Sequence, residues 1–397
     1  MTPSPDSPAG RPEPAARLAL WDIGFRPFYL LAALFAALTI SCWVAQFAGW
    51  TGAHMLIAGS YWHAHEMIFG YAFAVIAGFL FTAARNWTNE PTPSGALLGA
   101  IAALWIVARA LVLSPWPFLA AVPDVALALA VAAGIGVPLF RSRNRRNYFF
   151  VALLIAFGMV NLCFYLAMAG WIQVEVQRGL RFGLDLVLLL MAVMGGRVIP
   201  MFTANAVRGA SPLRYRWLEY AVFGSIVALL ATDLLVLPAS WTALAAAAGA
   251  LAHGARLVMW QPWLTLKRPI LWILHLSYAW IVAYLALRAT AAMGWVPISL
   301  AIHALTIGAI GGLTLGMMTR TARGHSGRPL DAGSAEVACF VLIQFAVMAR
   351  VFVPLAVPES YRHAIIASGV FWVCAYTLLA VRLAPMLLRP RIDGRRA

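Results

Sequence analysis

Apolar stretches of about 20 residues, the length a helix needs to cross a bilayer, recur along the whole chain, separated by short polar connections. We predict twelve spans, at 28–48, 61–83, 95–114, 117–140, 148–170, 179–201, 217–237, 240–259, 270–289, 296–318, 335–356 and 362–386. The pattern therefore predicts an all-α polytopic membrane protein with about twelve transmembrane helices.

Composition supports a membrane location. Hydrophobic residues make up 63% of the 397 residues and charged residues only 11%, whereas soluble domains carry about 25% charged residues. We expect one transmembrane domain at 28–386, a disordered N-terminal tail at 1–27 and a basic C-terminal tail at 387–397. The N-terminal tail is rich in Pro and Ala and lacks the apolar core of a cleaved signal peptide.

The formal net charge of +15 is explained by membrane topology, so we expect no nucleic-acid partner. With the N-terminus placed in the cytoplasm, thirteen Lys and Arg residues fall in inner connections, and four fall in outer connections or their margins. Cytoplasmic loops of membrane proteins are enriched in these two residue types. We therefore expect both termini to be cytoplasmic and the surface of the spans to contact membrane lipid.

Six of the eight histidines lie inside or at the edges of predicted spans: His63, His65, His253, His275, His303 and His325. Ionisable groups inside a membrane usually face a cavity, a partner or a bound ion. A neutral imidazole nitrogen is also a common metal ligand. This distribution favours a protein that holds a metal or haem in the membrane. The alternative for each histidine is a hydrogen-bonded structural role.

One group of histidines lies near the outer ends of spans two and ten. On a regular helix His63 and His65 point about 200° apart, so either the helix is locally unwound and both rings converge, or the two have different roles. His63 shares a face with Glu66 and Met67. His303 lies at nearly the same depth. We predict a haem or copper site with these three histidines as metal ligands and Glu66 as a supporting or proton partner.

A second group lies near the inner ends of spans eight and nine. A connection of about ten residues makes these spans antiparallel neighbours, with His253 and His275 at matching depth. Two facing imidazoles suit the ligation of a b-type haem. The same surface carries further cofactor-binding candidates. Three are candidate partners of haem propionates, namely Arg197, Arg256 and Arg320, and His325 is a ligand or an anion clamp.

Other polar and soft side chains within the spans have a structural interpretation as well. Arg109 and Arg350 are expected to pair with Asp124 or Asp185. Pro200 is expected to kink or end span six. Five methionines are either soft copper(I) ligands or packing residues, two alternatives that the sequence leaves open: Met191, Met194, Met201, Met317 and Met318. The glycines 308, 312 and 316 form a flat strip, which favours close helix packing over the face of a macrocycle.

Several short motifs resemble those of the NnrS family. They are, in order, residues 24–28 (GFRPF), 62–67 (WHAHEM), 195–200 (GGRVIP), 302–308 (IHALTIG), 318–320 (MTR) and 324–328 (GHSGR). The resemblance runs from about residue 20 to the end of the chain. It implies a twelve-span protein of the bacterial inner membrane that contains haem and copper. It also implies a link to nitric oxide metabolism, denitrification and protection from nitrosative stress.

Residues and resemblance together predict a redox metalloprotein with one or two b-type haems and copper. Nitric oxide or a nitrosyl species would be its ligand, and a respiratory-chain component its electron donor. A membrane transporter for copper, haem or an iron–nitrosyl species is the alternative, favoured by twelve spans and mid-depth polar groups. An assembly subunit of a respiratory complex is a third, favoured by the short loops.

Overall fold

The structure, a computed structural model, describes residues 18–51 and 59–394. These residues are 81% helical and contain no strand. Twelve of their helices are long and apolar enough to cross a membrane. They are α1 Phe25–Phe47, α2 Gly59–Thr88, α3 Gly95–Val112, α4 Pro117–Arg141, α5 Arg145–Met168, α6 Val176–Ala206, α7 Arg216–Leu234, α8 Ala239–Met259, α9 Pro269–Ala292, α10 Ile298–His325, α11 Ser334–Ala356 and α12 Pro358–Leu388. The predicted all-α architecture with twelve spans is confirmed.

The two termini of the bundle lie on one side, because the number of spans is even. We call the side that carries Phe25 and Leu388 the terminal face and the other side the distal face. Which of them is cytoplasmic stays a prediction. Residues 1–17 of the expected N-terminal tail and residues 395–397 of the C-terminal tail lie outside the described residues.

Helices α2 and α6 form the centre of the bundle. In their most apolar windows 83% and 78% of the residues are buried, against 22% in α8. The outer helices instead present large apolar side chains, such as Leu38 and Leu251, on the surface, as contact with lipid requires. Central position explains why α6 continues through Pro200 to Ala206. Of the two alternatives for Pro200, a kink or a helix end, the helix end is wrong, because packed neighbours support a proline inside a membrane helix.

Two of the central spans contain π-helical segments. In α2 the segment is Glu66–Ala72, directly after His65, and in α10 it is Ala304–Gly311, directly after His303. A π-helix has i→i+5 hydrogen bonds, is rare, and is frequent at functional sites because the extra residue redirects the side chains around it. Both segments therefore set the directions of the distal-face histidines.

The glycine strip of α10 packs against α9. A Cβ atom on Gly308 would meet the ring of Trp280, and one on Gly312 would meet the hydroxyl of Ser277. One on Gly316 would approach the side chain of Leu274 at 2.9 Å. The strip is used for close helix contact, which confirms the packing interpretation.

Arg26 joins the first helix to the last. Its side chain is fully buried, and Nη1 donates to the carbonyl oxygens of Leu387 at 2.8 Å and Arg389 at 2.7 Å. The last carbonyl groups of a helix have no partner within the helix. The arginine of the GFRPF motif therefore caps the C-terminus of α12.

Candidate cofactor site

A cavity of about 740 Å³ lies at the distal face, between α1, α2, α6, α10, α11 and α12. Phe47, Gly59 and Ile298, at the distal ends of three helices, line its outer part, and Leu184 and Ile307 line its deeper part. Its volume falls within the range of about 300–1,000 Å³ that buries a ligand of drug size. We call it the distal cavity.

His63 and His303 both line the distal cavity. The His63 ring stacks on Trp43 with 4.5 Å between ring centroids, and its Nδ1 is buried without a hydrogen-bond partner among the described residues. His303 Nδ1 lies 2.6 Å from the carbonyl oxygen of Ser299. A proton donated from Nδ1 to this carbonyl leaves the lone pair of Nε2 available, which is how metal-ligating histidines are usually oriented.

Two arginines give the distal cavity a positive charge. Arg181 and Arg350 line it, and among the described residues no Asp or Glu does so. Arg350 is only 5% exposed, and its Nη1 has no hydrogen-bond partner in the described part of the chain. Its Nη2 makes one weak contact, at 3.5 Å, with the hydroxyl of Tyr361. The expected pairing of Arg350 with a carboxylate is wrong, and the guanidinium is instead placed to bind an anionic group.

The other two residues of the predicted distal site lie elsewhere. His65 Nδ1 is 2.8 Å from Glu66 Oε1, and its Nε2 is 2.8 Å from Asn161 Oδ1. Neither His65 nor Glu66 lines the distal cavity, whereas Met67 does. Of the two alternatives for the histidine pair, the structure therefore supports different roles. The sequence predicts that His63, Glu66 and Met67 lie on one face of the helix. Met67 does line the cavity with His63, whereas Glu66 does not, because a π-helix begins at Glu66.

His65 and Glu66 belong to a buried ion network. Arg109 donates to Glu66 at 3.0 Å and also to Asp124, so its predicted pairing with Asp124 is confirmed. Tyr165 donates to the second oxygen of Asp124 at 2.7 Å. Both ring nitrogens of His65 contact oxygen atoms. Arg109 bridges the carboxylates of Glu66 and Asp124, which lowers the cost of burying them.

The terminal-face pair, His253 and His275, is separated by packed aromatic rings. Helices α8 and α9 are neighbours as predicted, and His253 Nδ1 is 2.8 Å from the hydroxyl of Tyr278. The Tyr278 ring packs on Trp260 at 4.6 Å, and Trp260 lies 6.3 Å from His275. The Nε2 of His275 contacts Thr203 at 2.9 Å. Aromatic rings occupy the space between the two histidines, and their joint ligation of a haem stays a prediction.

Arg256, one predicted propionate partner, already has protein partners for each nitrogen. Its Nε and Nη2 bind the carboxylate of Glu219, and its Nη1 donates to the Ala192 carbonyl at 2.9 Å and to Tyr278 at 3.1 Å. A Cβ atom on Gly196 would overlap this guanidinium. The glycine of the GGRVIP motif therefore leaves room for Arg256.

The remaining terminal-face candidates also make protein contacts. Arg197 donates to the side-chain oxygen of Asn147 at 2.6 Å. The Arg320 guanidinium lies 3.8 Å over the Phe202 ring, and the His325 ring packs near Phe25. None of the three lines the distal cavity. Their roles as cofactor ligands stay predictions.

Comparison with known proteins places this architecture in a family. The sequence model of the NnrS protein family matches residues 19–391, nearly the whole chain. This chain belongs to the NnrS family. A comparison with curated proteins gives no match. Membership fits a nitric-oxide-related membrane protein, and the resemblance predicted from the motifs is confirmed.

Sequence reasoning missed much of what lines the distal cavity in this NnrS-family protein. Span boundaries place Arg181 among the four basic residues of the outer connections and their margins, the sequence predicts an ion pair for Arg350, and it indicates no role for Trp43 and Trp372. One signal for Arg350 was available, because no Asp or Glu lies within four residues of it on its own helix. An intramembrane arginine without a local carboxylate needs a partner from another helix or a ligand.

Proposed function

We propose that this protein binds a b-type haem in the distal cavity, with His63 and His303 as iron ligands, and acts in nitric oxide metabolism at the bacterial inner membrane. The observation that carries the proposal is that two histidines from separate helices share one large cavity with two arginines, and that the part of the lining described by the structure contains no carboxylate. A haem supplies an iron centre that binds nitric oxide and exchanges single electrons with a respiratory-chain donor.

The residues of the distal cavity fit a haem better than a bare metal ion. A copper ion would add positive charge beside Arg181 and Arg350, whereas haem propionates would offset it. Trp43 stacks on His63 and holds the plane of its ring. In the described residues no three His, Cys, Asp or Glu side chains are grouped to hold a metal ion. Copper therefore remains an expectation from the family resemblance, without ligands that we assign.

The visible spectrum of the detergent-purified full chain tests the proposal, recorded oxidised and dithionite-reduced, with and without nitric oxide. An iron held by two histidines has no open coordination position, so nitric oxide would bind by replacing one of them, and we expect a b-type spectrum that nitric oxide perturbs. His63→Ala and His303→Ala should each change or abolish it, because each removes one ligand.

The matched controls are His253→Ala and His275→Ala, which delete the same ring from the terminal-face pair. These variants should keep the wild-type spectrum. Loss of the haem signal in the terminal-face variants, with a normal spectrum in the distal ones, would overturn the assignment and restore the other pair. A colourless wild-type protein, expressed with ample haem, would overturn the haem proposal itself.

Transport of haem is the second candidate function. It is favoured by one observation, that the distal cavity lies toward one membrane face between helices of a twelve-span bundle, as in alternating-access transporters. Transport requires flux of haem across vesicles that contain the protein, and weak, exchangeable binding. Stoichiometric haem that survives purification and dialysis, without flux, would exclude this candidate.

A further inference from the structure

A second, smaller cavity of about 80 Å³ lies deeper in the membrane. Its lining residues follow those of the distal cavity by one helical turn on three helices. On α2 Ile68 is succeeded by Ala72, on α6 Leu184 by Val187, and on α10 Ile307 by Ile310. The two cavities are therefore stacked along the same helices. The π-helical segments of α2 and α10 lie at the level where one cavity gives way to the other.

The second cavity is almost entirely apolar. Tyr29 and Thr314 are the polar residues of its lining, and the Thr314 hydroxyl is already used, donating to the Ile310 carbonyl at 2.6 Å. A buried water needs two to four polar partners, whereas apolar cavities of about this size stay dry and bind xenon or small apolar molecules. No charged residue of the described ranges lines it. Water and ions are therefore poor occupants.

Size and surroundings indicate the chemical class of the occupant. A volume of about 80 Å³ is too small for a macrocycle or a lipid chain and sufficient for a diatomic gas. Phe79, Val198 and Met317, at the end nearer the terminal face, are partly exposed. A small apolar gas dissolves in the hydrocarbon layer of the bilayer and is compatible with such an apolar lining.

We propose that the second cavity is a docking site for a small apolar gas, which passes through it between the bilayer and the distal cavity. Of these two statements, the docking site is independent of a cofactor, whereas the passage of gas toward a cofactor rests on the proposed function. The three methionines that line the cavity, Met191, Met194 and Met317, are flexible and polarisable and adapt to a small guest. With no carboxylate beside them, the cavity favours a neutral guest over copper(I).

Xenon is the first probe, because its binding does not depend on a cofactor. We expect a structure of the full chain under xenon pressure to show xenon between Val187 and Ile310. Val187→Phe fills the cavity and should abolish this peak. Val137→Phe is the matched control, since Val137 is 48% exposed on the surface of α4. Wild-type protein without xenon at this site would overturn the proposal, even if the filled variant failed to fold.

The second measurement is the rate at which nitric oxide binds the haem-loaded protein in stopped flow. We expect Val187→Phe to slow it about tenfold, the effect of roughly 1.4 kcal/mol of added barrier, and Val137→Phe to leave it unchanged. Xenon bound in the wild type with an unchanged rate in Val187→Phe would overturn passage while leaving the haem proposal intact. Silver(I), a copper(I) substitute, seated among the three methionines and excluding xenon would overturn the gas site in favour of a metal site.

Discussion

Replacing Arg109 by methionine tests whether the buried ion network holds the distal half of the bundle together. Arg109 is the cation shared by Glu66 and Asp124, whose side chains are 2% and 1% exposed. Methionine keeps much of the apolar stem and removes the charge. Glu66 retains His65 as a partner, whereas Asp124 retains chiefly the Tyr165 hydroxyl. The variant therefore leaves the Asp124 carboxylate buried without the arginine that balances its charge.

The expected loss of stability follows from that unpaired charge. Removing one partner of a buried ion pair destabilises a protein by about 3–5 kcal/mol, because the remaining charge stays buried. Arg178→Met is the matched control, since Arg178 and Glu175 form an ion pair in which the side chains are 34% and 68% exposed. Such surface pairs contribute only about 0–1 kcal/mol. We expect thermal unfolding in detergent, followed by tryptophan fluorescence, to separate the two variants clearly.

A double variant sharpens the test. Arg109→Met combined with Asp124→Asn removes the unpaired carboxylate as well as the cation, so it should be more stable than Arg109→Met alone. The reasoning is refuted if Arg109→Met unfolds at the same temperature as Arg178→Met. It is equally refuted if the effects of the two substitutions simply add.

Three further substitutions, one of them with a matched control, probe other contacts. Gly196→Ala should lose about 1–3 kcal/mol of stability, because the added Cβ atom overlaps Arg256. The control, Gly179→Ala on the same helix, has open space around the added atom and should gain about 0.5–1 kcal/mol. Chemical unfolding of the two variants measures both changes. Arg350→Met should weaken haem retention about tenfold or more, because it removes a charge-assisted hydrogen bond worth about 1.5–3 kcal/mol. Transfer of haem to apomyoglobin measures the retention, and an unchanged rate of transfer would contradict the role of Arg350. Arg26→Met should lower the unfolding temperature through loss of the α12 cap, with about 1.5–3 kcal/mol at stake; wild-type stability would show the cap to be dispensable.

The spans were predictable because crossing a bilayer imposes a length and an apolar composition that a single sequence displays. Observed helices overlap the predicted ranges throughout, from 28–48 against Phe25–Phe47 to 362–386 against Pro358–Leu388. Pairing of Arg109 with Asp124 was predictable on similar grounds, since a buried arginine needs a nearby anion. These features depend on single residues and their depth.

The make-up of the candidate site was less predictable because it depends on which way helices turn. The π-helical segment after His65 separates Glu66 from the face of His63, and regular-helix geometry cannot show that. His253 and His275 lie on neighbouring helices as the loop length indicated, but side-chain packing by Trp260 decides what lies between them. Depth along a helix can be read from sequence, whereas rotation about its axis requires the packed bundle.

The Arg26 cap has a consequence for biosynthesis. Its carbonyl partner Leu387 lies 361 residues later in the chain, so at about 5–20 residues per second the ribosome supplies that partner roughly 20 to 70 seconds after Arg26. Until then the guanidinium has neither of its final acceptors. The contact between α1 and the end of α12 is therefore among the last to form during synthesis. A chain that stops before Leu387 leaves this arginine without the carbonyl groups that it caps.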